Sequence, residues 1–292
     1  MYLSPKSNGK LLVSFEDGTA NREYATHLFA RQVMSGKSSR AQIIANIKRS
    51  AKPITEATQH AGVGHLLPPS FLCLGGSPRI RDENLVRDTL GLFVKTRTGR
   101  TVLDGGALRL QVDCPYAIVE LEPVAIVAGG PNASNPQASA IAWGTCAELG
   151  HNGHHVAHGM LEPGHFAAAL GWKSLGESLA LGATWWVPEG EDYNIANDAT
   201  MTMALTRGDQ SVFSEKTTFG EQYQGVVNSA KDRTLREYLI SSRASESSVM
   251  DLGCAICCGA GIKNDGREVV LKPGDQLTCE IEGVSALSVS FA

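Results

Sequence analysis

Long apolar runs, basic clusters and phosphate-binding glycine loops are all missing from this sequence. No apolar run reaches the roughly 18 residues that a membrane-spanning helix needs, so we expect no membrane segment. The 26 basic residues are outnumbered by 30 acidic ones and form no block, which makes nucleic acid an unexpected partner. The pair Gly129 and Gly130 precedes no helical pattern, so it predicts a hairpin turn rather than a phosphate loop.

Signs of secretion are also missing, and the cysteines fit a reduced protein. The first residues show no charged-then-apolar signal pattern. The 7 cysteines are an odd number, and Cys73, Cys146 and Cys254 lie in apolar segments, as small buried hydrophobic residues do. The CAICC segment at 254–258 resembles half a zinc knuckle, but no second pair follows at knuckle spacing, so core packing is the favoured interpretation. We expect a cytoplasmic protein.

Short β-rich segments dominate what is present. Hydrophobic residues make up 42% of the 292 residues, which predicts a large core. Helical patterns occupy residues 21–34, 38–51 and 228–242, and most other periodic segments alternate like strands. We therefore predict a strand-dominated α+β protein with a small N-terminal α/β region at 1–65 and one main domain at 66–292.

Carboxylates interrupt two of the predicted strands. Glu120 and Glu122 lie two residues apart in an apolar strand, so their side chains point to the same face. Another apolar strand ends in Glu148. Buried carboxylates repel each other unless a cation lies between them, and oxygen ligands suit Mg²⁺, or Mn²⁺ or Ca²⁺. The alternative is an exposed strand face with solvated glutamates.

Several motifs in order along the chain carry a family resemblance. The chain resembles the fumarylacetoacetate hydrolase superfamily, and most of all its branch of 2-keto-3-deoxy sugar-acid dehydratases, over roughly residues 68 to 292. Its Glu-x-Glu strand, with Asp113 seven residues earlier, is similar to the family's metal strand. Other matching segments contain Lys95, Lys173, the Cys258-Gly259 turn and the C-terminal strand pair. The resemblance implies a mixed β-sheet roll and a homodimer.

The sequence also departs from the family pattern. Glu148 stands where the third metal ligand is an Asp, and Arg81 lies near the position of a catalytic His. Cys258 and Ala260 replace the threonines of a Thr-Gly-Thr turn. A histidine-rich segment begins at His151 and is interpreted as a lid near the carboxylates, with His151 or His154 as a substitute base.

The resemblance predicts a divalent-metal-dependent enzyme that acts on a 2-oxo acid through a metal-stabilised enolate, as a dehydratase, a decarboxylase or tautomerase, or a C–C hydrolase. Two alternatives stay open: a degenerate member that binds a metabolite, and a zinc hydrolase that uses the histidines at 151–158. The predicted site residues fall into three groups: catalytic Lys173, Arg81 and His151; substrate-binding Lys95, Asp113, Cys258 and Gly259; and metal-binding Glu120, Glu122 and Glu148.

Overall fold

The structure of the protein is a computed structural model that describes residues 1–35, 37–67, 72–75, 93–97, 101–110, 117–127, 140–150, 177–189, 195–223, 249–260 and 262–292. Its N-terminal elements are β1 (Tyr2–Pro5), β2 (Lys10–Ser14), β3 (Arg22–Ala25), α1 (Thr26–Ser35), α2 (Arg40–Ser50), β4 (Lys52–Pro53) and α3 (Glu56–His60). Successive strands pair antiparallel, which makes this region one margin of a large sheet.

Helix α2 confirms the helical pattern predicted at 38–51. The Ser39 hydroxyl accepts a hydrogen bond from the Gln42 amide, and the Gln42 side chain accepts one from the Ser39 amide. This reciprocal pair satisfies backbone donors that a helix start leaves open. On the inner face of the helix, Ile43, Ile44 and Ile47 are buried.

The helix predicted at 21–34 is wrong in its first residues. Residues 22–25 form β3, and Tyr24 lies opposite Leu11 of β2. Tyr24 is buried in that position. Pairing with β2 overrides the local helical pattern until Thr26, where α1 begins.

Strands make up most of the remaining described chain. They are β5 (Leu72–Gly75), β6 (Phe93–Arg97), β7 (Val102–Leu103), β8 (Ala107–Leu108), β9 (Ile118–Val127), β10 (Ala140–Gly150), β11 (Leu179–Leu181), β12 (Trp185–Trp186), β13 (Thr200–Arg207), β14 (Gln210–Thr218), β15 (Val249–Asp251), β16 (Ile256–Gly259), β17 (Lys263–Asn264), β18 (Arg267–Glu268), β19 (Gln276–Ile281) and β20 (Ser285–Phe291). The strand-dominated α+β class is confirmed. The helix predicted at 228–242 lies outside the described residues.

Two sheets contain almost all of these strands. The larger runs in the order β4-β3-β2-β1-β12-β10-β9-β15-β5-β6, with β16 also beside β9 and β11 beside β10. The second sheet has the order β14-β13-β19-β20-β8. Both are mixed, since β15 pairs parallel with β5 and β20 pairs parallel with β8.

Strands β9 and β10 form the centre of the larger sheet, with a different core on each face. Leu121 and Ala147 point to one face and pack with Met203 and Leu287 of the second sheet. On the other face, Val124, Ile126 and Cys146 pack with side chains of the N-terminal region, among them Leu3, Val13, Phe29 and Ile47. The central strands are therefore buried on both sides.

The described residues include no helix that is long and apolar enough to span a membrane.

Candidate metal centre

From residue 126 back to residue 120, the even-numbered residues of β9 change from apolar to acidic along one face of the sheet. Val124 and Ile126 pack into the core that includes the N-terminal region, and Glu122 and Glu120 follow on the same face. The alternation of a strand fixes this common direction. Glu148 of β10 lies directly opposite Glu120 in the antiparallel register, so its side chain points the same way.

These three carboxylates converge in the interior. One oxygen from each of Glu120, Glu122 and Glu148 lies within 4.8 Å of the other two. Their exposed fractions are 8%, 2% and 0%. The alternative interpretation of the sequence, an exposed strand face with solvated glutamates, is therefore wrong.

The arrangement fits a divalent cation. Three negative charges this close repel one another strongly when water is excluded, and a bound cation converts that repulsion into attraction. Carboxylate oxygens are hard ligands, and three of them leave positions for waters or a substrate on Mg²⁺ or Mn²⁺. The acidic cluster could thus hold a divalent metal.

Thiols surround the same carboxylates. Cys257 of β16 lies opposite Glu120 on the side of β9 away from β10. Cys146 lies opposite Glu122, and its thiol donates a hydrogen bond to the Glu122 carboxylate over 3.7 Å. Cys254 is close enough that its sulfur, the Cys257 sulfur and a Glu120 oxygen lie within 4.8 Å of one another.

The prediction that the CAICC segment serves core packing therefore holds for one of its cysteines and is wrong for two. Cys258 is fully buried in the core between the two sheets. Cys254 and Cys257 are only half-buried and adjoin Glu120. The signal in the sequence was alternation, since Cys257 and Cys258 must point to opposite faces of β16.

The chain between β15 and β16 is shaped by Pro123 of β9. The Pro123 carbonyl accepts a hydrogen bond from the Leu252 amide (2.9 Å), and the Leu121 carbonyl accepts one from the Ala255 amide (2.8 Å). Because proline has no N–H, one donor of the ladder is missing here, and residues between these two contacts leave the strand. Gly253 has φ +83° in this loop, which favours glycine. The loop places Cys254 beside the carboxylates.

The electrostatics of the site act on the Cys254 thiol. Its hydrogen bond with Cys257, its burial, and the negative charges of Glu120 and Glu122 raise its pKa well above the ordinary value for a thiol. Each of these causes favours the neutral thiol over the thiolate. Without a cation, Cys254 is thus a protonated neighbour of the carboxylates.

Of the predicted substrate-binding residues, the structure does not bring the Cys258 side chain to the carboxylates. It points to the opposite face of the sheet, with Val119 as its partner on β9. Gly259 is required by close packing, since a Cβ at this position would lie 2.3 Å from the Ala117 carbonyl oxygen. It ends β16 against the start of β9.

Lys95 lies on β6, between Val94 and Thr96, which pair with successive residues of β5. It is the extra residue of a β-bulge. β5 and β15 separate its strand from β9. The other predicted residues, Lys173, Arg81, His151 and Asp113, lie outside the described residues, as does the histidine-rich segment.

No family model matches the chain, and no curated protein matches its sequence. Several solved structures are similar over the whole length. A 2-keto-3-deoxy-D-arabinonate dehydratase complexed with magnesium and 2,5-dioxopentanoate has a TM-score of 0.68 at 11% identity, covering 100% of this chain and 98% of that chain. A maleylpyruvate hydrolase from Sphingobium sp. SYK-6 has a TM-score of 0.58 at 13% identity, covering 100% and 99%.

A fumarylacetoacetate hydrolase from the psychrophilic Exiguobacterium antarcticum has a TM-score of 0.58 at 14% identity, covering 99% of this chain and 98% of that chain. At these identities the likeness is one of fold. The predicted resemblance to the fumarylacetoacetate hydrolase superfamily is confirmed at that level. The similar structures include dehydratases, a probable isomerase and hydrolases.

Proposed function

We propose that this protein is a divergent member of the fumarylacetoacetate hydrolase superfamily and a divalent-metal-dependent enzyme that acts on a 2-oxo acid through its enolate. The observation that carries the proposal is that the buried side chains of Glu120, Glu122 and Glu148 converge in a protein of this fold. When bound, Mg²⁺ or Mn²⁺ supplies Lewis acidity towards the oxygen of the 2-oxo group.

The described residues hold the cation and limit access to it. Glu120 and Glu122 are fixed by the β9 ladder, and Glu148 by β10, so the three oxygens stay preorganised. Their burial keeps bulk water from competing for the cation and strengthens every charge interaction in the site.

Groups that move protons and bind the substrate complete the proposal. They are carried over from the sequence: Lys173 and His151 for acid–base chemistry, catalytic Arg81 with Lys95 for the carboxylate or hydroxyls of the substrate, and Asp113 for substrate contacts. Loss of a C3 proton, loss of a carboxylate at C4, dehydration after C3 deprotonation and cleavage of the C3–C4 bond would all pass through an enolate of the 2-oxo acid, and these groups would determine which occurs. A cytoplasmic homodimer belongs to the same proposal, and light scattering of the purified protein tests its mass.

The first test measures metal binding. Calorimetric titration of Mn²⁺ into metal-stripped protein is expected to show binding that is lost in Glu122→Gln and Glu148→Gln. The Glu280→Gln variant serves as the matched control, because Glu280 is an exposed glutamate of β19 in the other sheet. Mn²⁺ affinity that is the same in all three variants would contradict the site.

The second test measures enolate formation independently of the final reaction. Proton–deuterium exchange at C3 of 2-oxo acids, beginning with pyruvate and 2-oxobutanoate, is followed by NMR in heavy water. We expect exchange that requires the metal and is lost with Glu148→Gln. Metal-dependent binding of oxalate, an enolate mimic, without exchange of any 2-oxo acid would instead favour a degenerate relative that binds a metabolite.

A further inference from the structure

We propose that Cys254, Cys257 and Glu120 form a second metal site, the thiol site, which binds a thiophilic divalent cation such as Zn²⁺. It shares Glu120 with the carboxylate site, which consists of Glu120, Glu122 and Glu148. The two sulfurs and one Glu120 oxygen lie within 4.8 Å of one another. Zn–S bonds of about 2.3 Å and Zn–O bonds of about 2.0 Å place tetrahedral ligands roughly 3.5 to 4 Å apart. The three groups therefore need only small movements to bind one ion.

The donor set differs in kind from that of the neighbouring site. Glu122 and Glu148 offer oxygens alone, whereas Cys254 and Cys257 offer sulfurs, which select Zn²⁺ over Mg²⁺. Two sulfurs and one oxygen leave a fourth tetrahedral position open, which is the pattern of zinc sites that bind a water or a substrate. Glu120 lies between the two sets because its strand pairs with β10 on one side and β16 on the other.

Hydrogen bonds from Tyr223 and to Asp251 fix the loop that contains Cys254. The Tyr223 hydroxyl donates a buried hydrogen bond of 2.6 Å to the Gly253 carbonyl. The Gly253 amide donates to the Asp251 carboxylate over 2.9 Å, and Asp251 itself is buried. These contacts fix the backbone of Gly253 and do not involve the Cys254 thiol, which hydrogen-bonds to Cys257. The Cys254 sulfur is therefore positioned beside the second sulfur and the Glu120 oxygen.

Cobalt titration tests the site directly. Co²⁺ replaces Zn²⁺ in such sites, and a thiolate ligand gives a charge-transfer absorption in the near ultraviolet. With a phosphine reductant present, the metal-stripped protein is expected to show this absorption on adding Co²⁺. It should weaken in Cys254→Ala and in Cys257→Ala, vanish when both cysteines are replaced, and persist in Cys279→Ala, because Cys279 lies buried in β19.

Measuring the Zn²⁺ affinity of each variant tests the site quantitatively. Loss of one sulfur ligand is expected to weaken Zn²⁺ binding by more than about 100-fold, since even an outer-shell partner is worth about 10- to 100-fold. Mg²⁺ affinity should be unchanged in the two cysteine variants. Glu148→Gln should lose Mg²⁺ binding and keep the cobalt absorption, and Glu120→Gln should weaken both.

Two results would overturn the proposal: Co²⁺ binding without charge-transfer absorption, or an absorption that survives both cysteine substitutions. Circular dichroism checks that each variant folds, and Cys254→Ala remains informative if Cys257→Ala does not, because Cys254 lies in a loop and outside the ladder. The outcome is separable from the proposed enzyme function, since Glu148 belongs only to the carboxylate site and the two cysteines only to the thiol site.

Discussion

At the scale of single residues, the protein buries carboxylates in two different surroundings. Glu23 of β3 accepts hydrogen bonds from the Lys10 ammonium (3.0 Å), from the Thr55 hydroxyl (3.0 Å) and from the Thr58 hydroxyl. Glu120 and Glu148, in contrast, face another carboxylate across the β9–β10 pair. A carboxylate surrounded by donors is stabilised by the protein itself, whereas converging carboxylates are suited to an added cation.

The donors around Glu23 make the stability of the N-terminal region depend on pH. Hydrogen bonds lower the pKa of Glu23 from an ordinary value of 4.5 to about 2, and the hydrogen bond from Thr58 has the largest effect. Because the folded-state pKa is the lower one, Glu23 stabilises the fold above about pH 4.5 and loses that contribution as the pH falls towards about 2. Acid should therefore weaken this region.

Denaturant unfolding across this pH range is the measurement, and Glu23→Gln is the variant. We expect the free energy of unfolding of Glu23→Gln to lie below that of the unaltered protein at neutral pH and to approach it in acid. Glu280→Gln, at an exposed glutamate of β19 in the other sheet, is the control and should follow the unaltered protein throughout. A constant difference between Glu23→Gln and the unaltered protein at every pH would contradict the assigned role.

At the scale of elements, the break between β15 and β16 creates the surroundings of the thiols. Strand β9 keeps both neighbours, but Pro123 removes one donor and the adjoining chain leaves the ladder for a few residues. Tyr223 supports this excursion through Gly253, and its ring packs 5.0 Å from the ring of Phe219. The position of Cys254 therefore depends on a residue that is distant from it in sequence.

Replacing Tyr223 with Phe tests this dependence. The ring is kept, but a buried hydrogen bond is lost, which should lower the free energy of unfolding by about 1 to 3 kcal/mol. Because the loop loses its support, the cobalt absorption assigned to the thiol site should weaken, while Mn²⁺ binding at the carboxylates should not change. Tyr223 is a positioning residue in this account.

Tyr24→Phe is the matched control. Tyr24 is also buried, and its hydroxyl accepts a hydrogen bond from Gln32 in the N-terminal region. This variant should lose stability without any change in the cobalt spectrum. Equal spectral loss in both tyrosine variants would point to general destabilisation and remove the specific role of Tyr223.

At the scale of the whole molecule, the larger sheet crosses the proposed division at residue 65. Strand β1 pairs with β12 through Tyr2 opposite Trp186 and Leu3 opposite Trp185. The core on this side contains N-terminal residues together with Val124, Ile126 and Cys146 of the central strands. The division into 1–65 and 66–292 stays a prediction, but the two parts share one sheet and one core.

A fragment comprising residues 66–292 is therefore expected to be unstable alone. Without β1, the edge of β12 is unpaired, and without the N-terminal side chains Val124 and Ile126 are exposed to water. The fragment should bind an apolar dye and melt at a lower temperature than the full chain. Adding a separate 1–65 fragment should reverse both effects. An isolated 66–292 fragment with the melting temperature of the full chain would show that the main domain folds independently.

The sequence by itself determined the features that depend on near neighbours. Glu120 and Glu122 share a face because a strand alternates, and α2 begins at Arg40 because Ser39 and Gln42 cap each other. The order of motifs along the chain also carried the resemblance to the fumarylacetoacetate hydrolase superfamily, and that resemblance implied the fold. These features follow from spacing within a few residues, where the sequence is nearly the whole cause.

Only the tertiary structure decided which distant strands meet. It placed Glu148 opposite Glu120, brought Cys254 and Cys257 to the same carboxylate, and made residues 22–25 a strand instead of a helix. The sequence reading of Cys254 and Cys257 as core residues failed because composition describes the apolarity of a segment and not the neighbour across the ladder. Strand pairing is set by long-range burial and register, and these are properties of the assembled sheet.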